Sequence, residues 1–281
     1  MPAFALPSAP GRGRNRRLTG LRAIVTGGSS GVGAALARGL AARGCAVLAT
    51  ARRADRLADL AAERPVAGPP IVVLAGDVTD AAFRRRLVVA AAERLGGLDL
   101  VVAAAGCGAI GPFRDGSAAT FARVVDVDFL APAELVRECL PLLAHGTDPA
   151  VVLVGSILGL HPLPLHGEYC AAKAALTALA GTLRIELAGD GIEVLLASLG
   201  PVESEFWDNL LAGRRPPWSR GRRMPAARAA AAILRGLERR RREVVPGWQA
   251  RGYALAARFA PWLIDALAAR HLRRAASEAR A

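Results

Sequence analysis

A strand, a glycine-rich turn and a helix follow one another near the start of this chain, and that succession constrains its fold more than any other feature. Leu21-Arg-Ala-Ile-Val-Thr26 reads as a short buried strand. Gly27-Gly-Ser-Ser-Gly31-Val-Gly33 comes next, then an Ala/Leu-rich helix over residues 34–43. Glycines at such a junction let the backbone approach a diphosphate at the helix N-terminus, where free N–H groups and the helix dipole favour anions. The alternation continues. Apolar runs over Cys45–Thr50, Ile71–Ala75, Leu98–Ala104, Ala150–Gly155 and Ile192–Ala197 read as strands, with helices over about residues 80–95, 118–144 and 168–188 among them. Such alternation predicts an α/β fold: a parallel sheet with helices on both faces. A length of 281 residues suits one large domain with a tail, and 53% hydrophobic residues suffice to fill its core.

Ligands of such sheets bind beyond the carboxyl ends of the strands, so the residues there carry the functional reading. The second strand ends in Ala51-Arg52-Arg53, with no carboxylate to receive a ribose 2′-hydroxyl. An arginine at that end suits a 2′-phosphate, which favours NADP(H) over NAD(H); the plainer alternative is a solvated helix cap. The third strand runs into Gly76-Asp77-Val78, where Asp77 either caps the next turn or accepts from an adenine amino group. The fourth leads into Ala104-Ala105-Gly106-Cys107-Gly108, small residues against which a cofactor could lie. The fifth ends at Ser156, well placed to hold a substrate carbonyl. His161 and His166 in the loop 157–168 could each line a substrate pocket, but read more readily as surface residues.

Tyr169 and Lys173 stand four residues apart at the start of the helix 168–188, one turn apart on one face. A nearby ammonium favours phenolate and lowers the tyrosine pKa, so the pair can serve as a general acid or base. A surface helix pair would look the same in isolation. Composition argues against that reading: of 37 basic residues Lys173 is the single lysine, kept where a tunable ammonium differs from a guanidinium. The four cysteines are scattered without metal-ligand spacing, which suits no bound metal and a reduced, cytoplasmic setting.

Together these residues resemble the short-chain dehydrogenase/reductase family over about residues 20–212. The family's cofactor turn, Thr-Gly-x-x-x-Gly-x-Gly, corresponds to Thr26 through Gly33, so Gly27, Ser29, Ser30, Gly31, Val32 and Gly33 are its expected cofactor contacts. Asp77 with Val78 matches the adenine-contacting pair, and Ser156, Tyr169 and Lys173 match the catalytic residues. The resemblance implies that Lys173 also binds the nicotinamide ribose. It further implies that Gly200, Val202 and Ser204 line the nicotinamide side after the sixth strand. The implied fold is a doubly wound Rossmann-like sheet over residues 20–247. The implied reaction is hydride transfer between nicotinamide and a carbonyl or carbinol carbon of a hydrophobic small molecule, with ketone reduction as the favoured direction. A homo-oligomer through the helices 118–144 and 168–188 is also implied.

Three departures stand out. Ala103-Ala104-Ala105-Gly106 replaces Asn-Asn-Ala-Gly, Leu199 replaces a proline, and Asp128 stands where the family often has an asparagine that completes the proton relay. Asp128 can hydrogen-bond a water as asparagine does, or perturb the charge near Lys173. These departures leave room for a competing reading, a low-turnover NADP(H)-binding regulator on the same fold.

The rest of the chain is chemically different. Residues 1–19 hold four arginines and no acid and read as a disordered basic arm. Residues 213–281 hold 17 arginines against four acids, and that stretch carries the net charge of +13. Residues 203–224 are the expected substrate lid; Phe206, Trp207 and Trp218 there suggest an apolar or flat substrate. A helix fits Ala226–Arg242 and a short strand Glu243–Pro246. Residues 248–281 read as an amphipathic helical extension interrupted by Pro261. Three roles compete for it: a helical cover with a solvated arginine face, a peripheral membrane contact, and nucleic-acid binding, which no motif supports.

Overall fold

The computed structural model of the protein describes residues 15–63, 68–215, 221 and 223–278. Seven strands form one parallel sheet: β1 (Arg22–Thr26), β2 (Ala46–Ala51), β3 (Val72–Ala75), β4 (Leu100–Ala103), β5 (Ala150–Ser156), β6 (Glu193–Leu199) and β7 (Glu243–Val244). Their order is β3-β2-β1-β4-β5-β6-β7. It reverses direction between β1 and β4, and such a reversal opens a crevice at the carboxyl ends of the strands. β4 and β5 are buried along their whole length, as parallel strands covered on both faces must be.

The helices are α1 (Gly31–Ala41), α2 (Ala54–Ala62), α3 (Ala81–Leu95), α4 (Ala118–Val125), α5 (Ala131–Leu143), α6 (Gly167–Glu186), α7 (Ala226–Glu238), α8 (Trp248–Phe259) and α9 (Pro261–Glu278). Leu36, Leu40, Ile233 and Leu234 of α1 and α7 fill the core on one face of the sheet. Leu87, Leu135, Cys139 and Leu176 of α3, α5 and α6 fill the other. Local signals set the ends: the Asp80 side chain accepts from the Ala82 amide at 2.8 Å to cap α3, which stops at Gly96 in a left-handed conformation.

Two elements depart from the sequence reading. α2 has no counterpart in it, because the helix buries only Leu57 and Leu60 and leaves too short an apolar stripe. The long helix over 118–144 is continuous but widens into a π turn at Asp126–Leu130. Such a turn adds a residue to the helix without breaking it, and π turns are frequent at functional sites. Here it carries Asp128, which is fully buried.

Of the disordered arm expected over residues 1–19, residues 16 and 18 are instead buried in the fold. Residues 1–14 lie outside the described part of the chain, but Arg16 is folded in, with 3% of its surface exposed. Its amide donates to the Glu238 carbonyl at 2.7 Å. Its guanidinium meets Asp148 at 3.2 Å and Glu193 at 3.1 Å. Arg240 binds the same two carboxylates from the other side, each at 2.7 Å. Arg16 thus ties the start of the chain to the end of α7 and to the foot of β6, partners too distant in sequence for composition to reveal. Replacing Arg16 with Ala should cost about 2 kcal/mol, the scale of a lost hydrogen bond to a charged group, read as a lower urea midpoint. Arg240 keeps both carboxylates paired, so the variant should still fold.

Candidate active site

The glycine turn sits where β1 hands over to α1. Gly27 has φ +72°, and a Cβ there would lie 2.8 Å from the Ala104 carbonyl oxygen, so only glycine fits. A Cβ at Gly33 would collide with the Gly27 carbonyl. The Thr26 hydroxyl accepts from the Ala104 and Ala105 amides, both at 3.0 Å, and this joins the end of β1 to the end of β4. Of the two alanines that replace the family's asparagines, Ala104 is therefore held through its backbone.

Arg53 turns onto this loop. It donates to the Ser29 hydroxyl at 3.1 Å, to the Ser30 hydroxyl at 2.8 Å and to the Glu205 carboxylate. Its hydrogen bond holds the Glu205 carboxyl below the usual carboxylate range. Arg52 is exposed. Of the two arginines named from the sequence, Arg53 is the one brought to the cofactor turn. Arg53 precedes α2 in an extended conformation, which directs the chain back toward the turn. Val32 packs partly buried against the core, and Ser204 lies over Gly31.

Asp77 takes up the role of a cap and more. Its Oδ1 accepts from the Thr79 amide at 3.0 Å, and its Oδ2 accepts from Arg123, a residue the sequence reading did not single out. Burial opposes its ionisation, but the Thr79 amide and Arg123 outweigh burial and hold its pKa down. The Val78 side chain is buried beside Phe83 and Ala131.

The carboxyl end of β5 and the start of α6 bring Ser156, Tyr169 and Lys173 together. Ser156 accepts from the Leu158 amide at 3.1 Å, which fixes its side chain beside Tyr169, where it favours the phenolate. Lys173 donates to the Val154 carbonyl at 3.1 Å, and its Nζ lies 5.7 Å from the Tyr169 ring centre. Asp128 enters from the π turn. Its Oδ2 accepts from the Cys107 amide at 3.1 Å, and its Oδ1 stands 2.9 Å from Lys173 Nζ. That second contact is an ion pair whose angles fall outside hydrogen-bond geometry, so Oδ1 keeps a lone pair to offer. Gly106 makes room: a Cβ there would lie 2.9 Å from Asp128 Oδ1.

Electrostatics follow from this packing. Burial is the largest influence on Tyr169 and raises its pKa; Lys173 and Ser156 pull it back, while Asp128 pushes it up. Burial would lower the Lys173 pKa, but Asp128 and Tyr169 outweigh it and the net direction is up. Burial, reinforced by Asp128, pushes the Cys107 thiol up to about 12, so it stays protonated.

Residues 206 and 207, in the segment expected to form the lid, pack over this group. The Phe206 ring meets the Tyr169 ring edge-on at 5.4 Å, and Trp207 meets Phe206 at 5.5 Å. The Leu211 amide donates to the Gly108 carbonyl at 2.8 Å, which pins the lid to the loop after β4. Trp218 lies outside the described residues. The two histidines are not surface residues as expected. His166 is buried, donates from Nδ1 to the Pro164 carbonyl at 2.8 Å and stands edge-on to Trp207 at 6.4 Å. Burial lowers its pKa and keeps it neutral. His161 is held by Asp265 of α9 at 2.9 Å. Both are covered by segments far along the chain, which local sequence does not announce. Gly200 and Val202 lie beyond β6, where a Cβ on Gly200 would meet Ala250 of α8 at 3.0 Å and Val202 bridges to Met224.

A sheet of this order has its ligand-binding crevice at the carboxyl edge, and Ser156, Tyr169 and Lys173 stand there. The family model described as short chain dehydrogenase matches residues 22–215, and the chain belongs to that family. A short chain dehydrogenase of Pseudocercospora fijiensis is 35% identical over 192 residues, 68% of this chain and 62% of that protein, so this chain spans less than two thirds of that relative. The alcohol dehydrogenase of Thermococcus sibiricus complexed with 5-hydroxy-NADP has a TM-score of 0.70 at 27% identity, over 80% of this chain and 95% of its own. A short chain dehydrogenase/reductase of Burkholderia phymatum in complex with NAD shares the fold, with a TM-score of 0.76 at 24% identity over 85% and 93% of the two chains.

Proposed function

We propose that this protein is an NADP(H)-dependent reductase of a carbonyl group on a hydrophobic small molecule. The observation that carries the reading is the convergence of Ser156, Tyr169 and Lys173 beneath the aromatic lid. The glycine cradle fits a nucleotide diphosphate, because its backbone approaches leave no room for side chains. Gly27, Gly31 and Gly33 would hold the diphosphate, Asp77 the adenine end, and Lys173 the nicotinamide ribose. The bound nucleotide supplies the hydride. Ser156 orients and polarises the substrate oxygen. Tyr169 gives that oxygen its proton, and Lys173 holds the phenol in reach of ionisation. Phe206 and Trp207 exclude water and offer flat apolar faces to the substrate. Self-association through α5 and α6 agrees with the exposure of Leu130 and Ile185 beside and on these helices.

The NADP(H) preference rests on Arg53, whose guanidinium already gathers two hydroxyls and a carboxylate. A 2′-phosphate would compete with Glu205 for that guanidinium. Fluorescence titration with NADPH and NADH tests this. Arg53→Ala should weaken NADPH at least about tenfold, the scale of a charged hydrogen bond, and leave NADH nearly unchanged. Equal losses for the two nucleotides, or wild-type preference for NADH, would overturn the assignment.

A further inference from the structure

We propose that α8 and α9 form a docking face for an anionic lipid surface. The inner side of this pair is occupied. Ala250 packs on Gly200, Ile264 is buried, the Tyr253 hydroxyl donates to the His161 carbonyl at 2.8 Å, and Asp265 holds the His161 ring. The helices therefore sit on the loop beyond β5, beside the mouth of the candidate active site.

The outer side has no such partner within the described chain. Trp248, Phe259 and Trp262 are 80%, 67% and 68% exposed, and Leu255, Leu263 and Leu267 are each about half exposed. Trp248, Leu255 and Phe259 fall on one face of α8 by their helical spacing. Scattered surface leucines need no explanation, but a run of six large apolar side chains on two adjoining helices marks an interaction site.

Charge identifies the partner. Arg251, Arg258, Arg270 and Arg273 are exposed on the same two helices. Between residues 248 and 273 the single acid is Asp265, already held to His161. A second copy of this chain is a poor fit, since a two-fold axis would set arginines against arginines with no carboxylate between them. An anionic bilayer answers both features at once: its phosphates meet the arginines and its acyl boundary takes the leucines and phenylalanine. Trp248 and Trp262 suit the headgroup level, where an amphipathic ring is favoured. No helix of the described residues is long and apolar enough to cross a membrane, so the contact is one of lying on the surface. The placement beside the lid would bring a lipid-dissolved substrate to the cleft.

The test is sedimentation of the full-length protein with vesicles of phosphatidylcholine, with and without phosphatidylglycerol. Wild type should pellet with the anionic vesicles, much less with the neutral ones, and should be released by high salt. Trp248→Ala, Phe259→Ala and Trp262→Ala combined should cut anionic-vesicle binding by about tenfold or more, while thermal melting and NADPH titration stay at wild-type values. Those two readouts separate a lost surface from a lost fold or nucleotide site. Absence of wild-type sedimentation, or undiminished binding by the triple variant, would overturn the proposal. So would a wild-type dimer, seen by analytical ultracentrifugation, that the same substitutions dissociate without any vesicle binding.

Discussion

Tyr169→Phe is expected to lower turnover by about 10²- to 10⁴-fold, the range over which positioned acids and bases act, while NADPH binding changes little. The ring remains, so its edge-on contact with Phe206 and its place near Lys173 are kept. What goes is the hydroxyl beside Ser156 that the proposed mechanism uses as proton donor. The measurement is steady-state reduction of a panel of apolar ketones and aldehydes, with nucleotide affinity measured in parallel. The result separates the two functional readings. A regulator that only senses NADP(H) needs the glycine cradle and Arg53, and its activity would be equally negligible with and without the phenol. A reductase depends on the phenol. If wild type and variant prove alike inactive across the panel while both bind NADPH, the regulator reading prevails, and the Asp128–Lys173 pair would be its physical basis.

Much of this site was legible because its parts are local. Strand, turn and helix are contiguous from Leu21 to residue 43, and their periodicities differ enough to be separated. Tyr169 and Lys173 share one helical turn, so spacing alone placed them on one face. Other parts were hidden because they depend on contacts between distant segments. Arg123 reaches Asp77 across 46 residues, and Arg53 reaches Glu205 across 152. Arg16 finds Glu193 across 177. His166 looked like a surface residue since nothing nearby announces that Trp207 stands against it. The π turn is similarly silent, because a helical apolar pattern does not reveal one residue of extra winding. The exchange of asparagine for Asp128 was visible, but whether its carboxylate would take a water or the ammonium was a question of a few ångströms. The fold decides for the ammonium, at 2.9 Å.

That choice has a measurable consequence in Asp128→Asn. Asp128 is fully buried and the Lys173 side chain is 5% exposed, so their charges answer each other with little solvent between. With the carboxylate present, Lys173 spends part of its field on Asp128, and Asp128 itself disfavours a phenolate at Tyr169. The amide keeps an acceptor for the Cys107 N–H but carries no charge. The Tyr169 pKa should then fall, because the charge that disfavours its phenolate is gone. Reduction requires the protonated phenol, so its rate declines as pH rises through that pKa, and the decline should begin at lower pH in Asp128→Asn. Alcohol oxidation requires the phenolate, so its rising limb should move to lower pH as well. Profiles of kcat/KM against pH in both directions check this; limbs that stay in place, or move to higher pH, would show that Asp128 does not act through the phenol. Asp128→Ala goes further. It strands the buried ammonium with only the Val154 carbonyl as a fixed partner, and breaking a buried pair in this way costs about 3–5 kcal/mol. Denaturant unfolding should show that loss for alanine and a smaller one for asparagine. If both substitutions move the pH limbs alike while alanine destabilises the protein far more than asparagine, then Asp128 serves the fold largely through its hydrogen bonds and the chemistry through its charge, and the two roles come apart in a single residue.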